Sequence, residues 1–249
     1  MPSGSRGSLR IAQCSARFTQ LPILSRWKRS KGFACGYTEL GARDRRGRGT
    51  LGVMTPTRAP VTRQGLLAGV WVFEQHTFPD NRGFFREVFR LDEVEAAVNR
   101  PLHFVQMNHS RSSRDTLRGL HAENWDKLVY VSAGEVFTAL ADIRPSSPTF
   151  GKVEVFRFTP DSALAVFIPA GVAHGYCVLS DEADYIYQVT AYYDGSDRRA
   201  IAWNDPDLAV PWPVQQPILS ERDRQAPRLR DLFPERFNRG NSVESDKQP

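Results

Sequence analysis

The sequence predicts an all-β fold, either a sandwich or a barrel, with a few short helices. From about Gly65 onward, short runs with strand composition recur at regular spacing, and turn-forming residues separate them. Long helical patterns do not alternate with these runs, which argues against a βαβ arrangement. Moreover, no glycine-rich loop follows a strand and opens a helix, so neither a Rossmann nor a P-loop nucleotide site is predicted.

Ten segments have the composition of strands: 66–73, 84–89, 102–107, 127–131, 136–143, 152–158, 164–168, 173–179, 185–192 and 200–203. Glycine, proline and asparagine mark turns at 79–83, 132–134, 145–148 and 169–171. A helix is predicted at 92–98, where Val94, Ala97 and Val98 have helical spacing. A second, short helix is predicted within 221–232.

The positive charge of the chain is concentrated at its N-terminal end. Residues 1–60 contain 12 Lys and Arg against two acidic residues, whereas the rest contains 21 against 26. Residues 1–53 show no apolar period, so we predict a disordered basic extension, a domain at 54–235 and a polar tail at 236–249. We interpret the extension as a translated upstream stretch, with Met54 as the working start. Two alternatives are a targeting peptide and a basic tail that binds an acidic partner. The acidic domain argues against a nucleic-acid partner.

The sequence also indicates a compartment. It has no apolar run of about 18 residues, which disfavours a membrane partner, and no recognisable secretory signal. Its three cysteines form neither a Cys-x-x-Cys motif nor a paired framework. These features predict a cytoplasmic protein.

Two histidine motifs are candidates for chemistry. In the motif RGLH, Arg118 and His121 would point to opposite faces of a strand unless Gly119 introduces a bulge. In PAGVAHG, a turn leads into a strand that places His174 at the rim of a barrel. Each histidine by itself is as readily structural, but two such motifs in one barrel favour a functional site.

Two further segments carry less information alone. In the run 185–193, strand alternation places Tyr185 and Tyr187 on one face with Val189, an arrangement that is usually core. The segment 80–87 combines a turn with mixed charges and indicates a hairpin.

Taken together, these segments resemble the dTDP-4-dehydrorhamnose 3,5-epimerase family, a jelly-roll (cupin-type) group of sugar-nucleotide epimerases. The resemblance runs from about residue 71 to 227, and seven matching segments keep the family's order: 78–85, 106–110, 117–121, 146–151, 168–175, 205–213 and 219–223. It implies a homodimer without a cofactor or metal that inverts C3, C5 or both in a nucleotide-linked 4-keto-6-deoxy sugar, in deoxysugar biosynthesis.

The resemblance also implies residue roles. His121 matches the base, Asp223 the carboxylate that orients it, Tyr187 the acid on the opposite face, and Lys127 the cation beside the C4 enolate oxygen. The matching substrate positions are Arg82 and Arg118 at the diphosphate, and Glu87, Gln106, Asn108, His174 and Tyr193 in the pocket.

The loop after His121 departs from the family pattern. It is about four residues shorter, Glu123 occupies the place of a neutral amide, and Asp115 replaces a common glycine just upstream. The nucleotide sugar and the inverted carbon therefore stay open.

Two alternatives belong to other classes. His121, Glu123 and His174 resemble the imidazole and carboxylate ligands of a metal-dependent cupin, such as a dioxygenase. The other alternative is a non-catalytic sugar-nucleotide binding module, although its expected loss of the base or acid is not seen.

Overall fold

The structure is a computed structural model that describes residues 62–159, 161–195 and 199–237. The predicted N-terminal extension lies outside the described residues, and so does the C-terminal tail apart from Arg236 and Phe237. The domain boundary at Met54 therefore stays a prediction. Within the described residues, no helix has the length and apolar character needed to cross a membrane.

The described residues form twelve strands and four helices. The strands are β1 (Thr62–Gln64), β2 (Trp71–Glu74), β3 (Thr77–Asp80), β4 (Gly83–Arg86), β5 (Gln106–Ser113), β6 (Leu117–His121), β7 (Lys127–Ala133), β8 (Val136–Asp142), β9 (Val153–Phe158), β10 (Leu164–Ile168), β11 (Val172–Val178) and β12 (Glu182–Val189). The helices are α1 (Leu91–Val98), α2 (Glu221–Arg224), α3 (Leu229–Leu232) and α4 (Pro234–Phe237).

Two antiparallel sheets pack face to face. One has the strand order β1-β2-β10-β7-β12-β5 and the other β6-β11-β8-β9, while β3 and β4 form a separate hairpin. The main core joins the two sheets, since Val129 and Tyr185 of the first pack in one cluster with Leu140 and Phe156 of the second. This architecture confirms the predicted all-β jelly roll.

The outer faces of both sheets are also covered. Helix α1 packs Val94 against Phe73 and Phe167 of the six-stranded sheet. On the four-stranded sheet, Ala139 and Ala173 pack against C-terminal residues that include Ile201, Leu208 and Leu229. The C-terminal segment is thereby held against the sheet that carries β6, which brings α2 to the end of that strand.

Several predicted strands differ from the observed ones. The prediction at 102–107 was wrong in placement, because Leu102 and Phe104 pack with α1, and the strand is the polar edge strand β5. The prediction at 200–203 was also wrong, since only Ala200 forms a bridge, to His121. The segment 66–73 contributes only its end to β2. Strands β1, β3 and β6 were absent from the predicted set, and α2 and α3 share the region predicted as one helix.

Candidate active site

One cavity opens between the two sheets where β5, β7 and β12 face β6 and β11. Its volume is about 300 Å³, which is at the lower end for a small-molecule site. Polar and aromatic side chains surround it: Gln106, Asn108, Ser110, Arg118, His121, Glu123, Trp125, Lys127, His174, Tyr176, Tyr187, Val189, Tyr193 and Arg222. Eight of the predicted site residues are among them.

Gly119 allows Arg118 and His121 to line the same cavity. The pairing of β6 with β11 shifts register between His174 and Tyr176, which is the irregularity expected of a glycine bulge. Gly119 has a φ of +129°, and a Cβ built there would lie 2.5 Å from the Cα of Gly175. Glycine is therefore required by both the backbone conformation and the close approach of the two strands.

We expect Gly119→Ala to lower the free energy of unfolding by about 3–5 kcal/mol, since backbone strain adds to a backbone clash. Urea denaturation followed by tryptophan fluorescence measures this change. Gly83→Ala is the matched control, because Gly83 has a φ of +138° but no atom within 4 Å of a built Cβ. An equal loss in both variants would contradict the role of the close approach.

His121 is oriented by a buried carboxylate. Its Nε2 lies 2.6 Å from Oδ1 of Asp223, whose residue is only 3% exposed. Ser220 caps α2 by accepting a hydrogen bond from the Asp223 backbone N–H at 3.2 Å, which fixes this end of the helix. A neutral imidazole that donates from Nε2 carries its lone pair on Nδ1, which is the arrangement that a general base needs.

The carboxylate of Asp223 stays ionised beside this imidazole. Burial alone would raise the pKa of Asp223, but the hydrogen bond and charge of His121 outweigh burial and hold that pKa below its ordinary value. The ionised Asp223 accepts the hydrogen bond from Nε2 and leaves Nδ1 of His121 free to accept a proton from carbon.

Lys127 and Glu123 form an ion pair within the cavity. Lys127 is the first residue of β7 and its side chain is 6% exposed, while that of Glu123 is 12% exposed. The structure therefore places the Glu123 carboxylate, at the position where the family pattern has a neutral amide, against the Lys127 ammonium.

Tyr187 and His174 complete the set of titratable groups facing the cavity. Burial, together with the charge of Glu123, raises the pKa of Tyr187, so the phenol stays protonated. Burial and the nearby Lys127 and His121 hold the pKa of His174 well below its ordinary value, and its Nε2 lies 2.9 Å from the hydroxyl of Tyr185. His174 is therefore a neutral member of the site.

The sequence analysis gave no role to four of the lining residues: Ser110, Trp125, Tyr176 and Arg222. The hydroxyls of Ser110 and Tyr176 are 2.8 Å apart on facing strands. The Nε of Arg222 is buried and has no hydrogen-bond partner within the described part of the chain. Its position directly before Asp223 was the available signal, because a residue beside an orienting carboxylate also lies near the imidazole.

Arg82 and Glu87 are not brought to this cavity. Arg82 lies at the turn between β3 and β4, its side chain is 85% exposed, and it pairs with Asp80 at 2.6 Å. Glu87 follows β4 and is also exposed. Within one chain, these two predicted substrate residues therefore lie away from the eight that line the cavity and from Asp223.

The geometry disfavours the metal-dependent alternative. Each of its three predicted ligands has another partner: Asp223 for His121, Lys127 for Glu123, and the Tyr185 hydroxyl for His174. Among the described residues, no group of three or more His, Cys, Asp or Glu side chains has an arrangement suited to a metal ion.

Comparison with known proteins agrees with the geometry. The sequence model of the dTDP-4-dehydrorhamnose 3,5-epimerase family matches residues 64–231. A dTDP-4-dehydrorhamnose 3,5-epimerase from Shigella flexneri is 45% identical over 158 residues, covering 62% of this chain and 87% of that protein.

Two solved structures are similar over most of their length. NovW, a 4-keto-6-deoxy sugar epimerase from the novobiocin biosynthetic gene cluster of Streptomyces spheroides, has a TM-score of 0.69 and 33% identity, covering 75% of this chain and 96% of that one. A dTDP-6-deoxy-D-glucose-3,5-epimerase from Legionella pneumophila, solved with dTDP-4-keto-L-rhamnose, has a TM-score of 0.67 and 37% identity, covering 71% and 96%. The chain therefore belongs to the dTDP-4-dehydrorhamnose 3,5-epimerase family of carbohydrate isomerases.

Proposed function

We propose that this protein inverts C3, C5 or both in a dTDP-linked 4-keto-6-deoxy sugar, in deoxysugar biosynthesis. The observation that carries the proposal is the convergence of an Asp223-oriented His121, a protonated Tyr187 and the cation of Lys127 on one cavity. The family membership and the ligand of the Legionella pneumophila structure support the choice of substrate.

The placement of the two proton-transfer groups suits inversion. His121 lies on β6 of the four-stranded sheet and Tyr187 on β12 of the six-stranded sheet, so a sugar between them meets one group on each face. His121 would remove the proton from the carbon beside the ketone, and Lys127 would stabilise the charge that develops on the C4 oxygen. Tyr187 would then return a proton from the other face, and the carbon is inverted.

Arginine side chains suit the diphosphate end of the substrate. Arg118 and Arg222 both line the cavity, and a guanidinium matches two phosphate oxygens at once. The unpartnered buried Nε of Arg222 supports its role as a ligand. Gln106, Asn108, His174 and Tyr193 remain proposed pocket residues, and the backbone N–H of Tyr193 donates to the Gln106 side chain at 3.2 Å.

Proton NMR in deuterium oxide with dTDP-4-keto-6-deoxyglucose tests the function. Loss of the C3 signal, the C5 signal or both, together with formation of the inverted sugar, identifies the carbons directly. Binding of dTDP without any deuterium incorporation would instead support a binding module and overturn the proposal. Activity that disappears with a chelator and returns with iron or manganese would support the metal-dependent alternative.

We also propose a homodimer in the cytoplasm. The hairpin β3–β4 exposes Phe84 by 61% and Phe85 by 65%, and such apolar surface is commonly covered by a partner. If the second copy covers this hairpin, Arg82 and Glu87 of one chain would reach the cavity of the other chain. This arrangement would explain why they lie far from the cavity of their own chain. The buried free thiol of Cys177 suits a reducing compartment.

Mixing two inactive variants tests this arrangement. We expect Arg82→Ala and His121→Ala homodimers to be nearly inactive at low substrate concentration, while a refolded mixture regains about a quarter of the wild-type sites. Turnover assays on the mixture measure the gain, and analytical ultracentrifugation checks the dimer. No gain from verified mixed dimers would mean that Arg82 does not serve a partner's cavity.

A further inference from the structure

The ion pair of Glu123 and Lys127 is the feature of the cavity that the proposed reaction leaves unexplained. Epimerisation needs a cation beside the C4 oxygen, but it assigns no task to a carboxylate there. Nevertheless, the Glu123 carboxylate lies against the Lys127 ammonium, and both side chains are close to fully buried. Removing a carboxylate from water costs free energy unless a nearby positive charge compensates for it. The buried position of Glu123 therefore calls for a functional explanation.

The loop that carries Glu123 is fixed at both ends. The carbonyl of Glu123 accepts a hydrogen bond from the Gly171 N–H at 2.8 Å. At the other end, the Asp126 N–H donates to the Thr190 hydroxyl at 3.0 Å, and the Asp126 carboxylate accepts from the Arg100 guanidinium at 2.6 Å. These hydrogen bonds fix the loop 122–126 and hold the Glu123 backbone in a defined position.

The long side chain of Lys127 requires a contact that fixes the position of its ammonium. Its backbone is fixed by pairing with Ile168 on one side and Val189 on the other, but four rotatable bonds separate the backbone from the ammonium. Within the described part of the chain, this ammonium donates a hydrogen bond to the Glu123 carboxylate. An ammonium has three N–H donors, so two stay available for the substrate when Glu123 takes one.

We propose that Glu123 is a positioning residue that holds the Lys127 ammonium at the site of the C4 oxygen. The inference rests on the proposed function and adds a residue to it. Glu123 acts through Lys127: it holds the ammonium in place within the cavity, and it accepts no proton from the sugar. The arginines, rather than this neutralised pair, then supply the net positive charge for the diphosphate.

A double-mutant cycle tests the proposal, using Glu123→Gln, Lys127→Met and both together. We expect Glu123→Gln to lower kcat about 10- to 100-fold while KM changes less than about threefold, because an interaction with the enolate is lost and the diphosphate ligands stay. Deuterium incorporation and inversion should fall together. The double variant should match Lys127→Met within about twofold, because Glu123 has no task without the cation.

Two further variants control for structure. Glu74→Gln changes an exposed carboxylate on β2 and should leave kcat unchanged. Glu123→Asp keeps the charge and should recover part of the activity lost in Glu123→Gln, which a defect in folding alone would not predict. Thermal unfolding midpoints of all variants show whether the fold is retained.

Other outcomes overturn the proposal. Glu123→Gln with wild-type kcat would show that Lys127 needs no positioning by a carboxylate. Losses that multiply in the double variant would show that Glu123 acts independently of Lys127, for instance as a direct ligand of a sugar hydroxyl. If the wild-type protein exchanged no sugar proton, the proposed function itself would be refuted. That result is distinguishable from the two above, because they are measured relative to an active wild-type protein.

Discussion

His121→Ala should abolish deuterium exchange at the sugar carbons and lower turnover by at least about 10³-fold, because no other group would take the proton. Asp223 lies behind the imidazole, 2.6 Å from Nε2, and the cavity offers no second base in that position. His174 does not replace it, since its Nε2 is engaged with the buried Tyr185 hydroxyl. Single-turnover NMR in deuterium oxide measures the loss without interference from product release.

The control for this variant is His103→Ala, which removes an exposed histidine that does not line the cavity. It should exchange deuterium like the wild type. Binding of dTDP by His121→Ala should also remain, because Arg118 and Arg222 are retained. Exchange in His121→Ala at the wild-type rate would refute the assignment of the base.

The sequence predicted the parts of the fold that depend on local pattern. Strand β10 was predicted with its observed ends, because five consecutive apolar residues lie in the centre of a sheet. Strand β5 was misplaced because its pattern is polar and half exposed, as befits an edge strand, while the apolar Leu102 beside it packs with α1. The hydrophobic pattern alone does not distinguish an apolar residue in a strand from one that packs against a helix outside a strand.

The site depends on contacts that local pattern does not contain. A glycine bulge was the stated condition for Arg118 and His121 to share a face, and the register shift at β11 meets it. Eight of the residues that the resemblance predicted line the cavity, whereas Tyr176 and Arg222 were missed. Tyr176 directly follows the matching segment 168–175 and Arg222 lies within the segment 219–223, but neither was assigned a role. Glu123 was recognised as an unusual charge, but only the structure shows that its partner is Lys127.

Tyr187→Phe should separate exchange from inversion. Without the phenol, His121 still removes the proton and Lys127 still stabilises the enolate, so deuterium enters from the face of the base and configuration is kept. Inversion should fall about 10²- to 10³-fold while exchange falls far less. Tyr192→Phe, at an exposed tyrosine outside the cavity, is the control and should invert normally. NMR analysis of the recovered sugar gives both rates from one sample. Equal loss of exchange and inversion would show instead that Tyr187 is needed to form the enolate, and the opposite-face acid would have to be another residue.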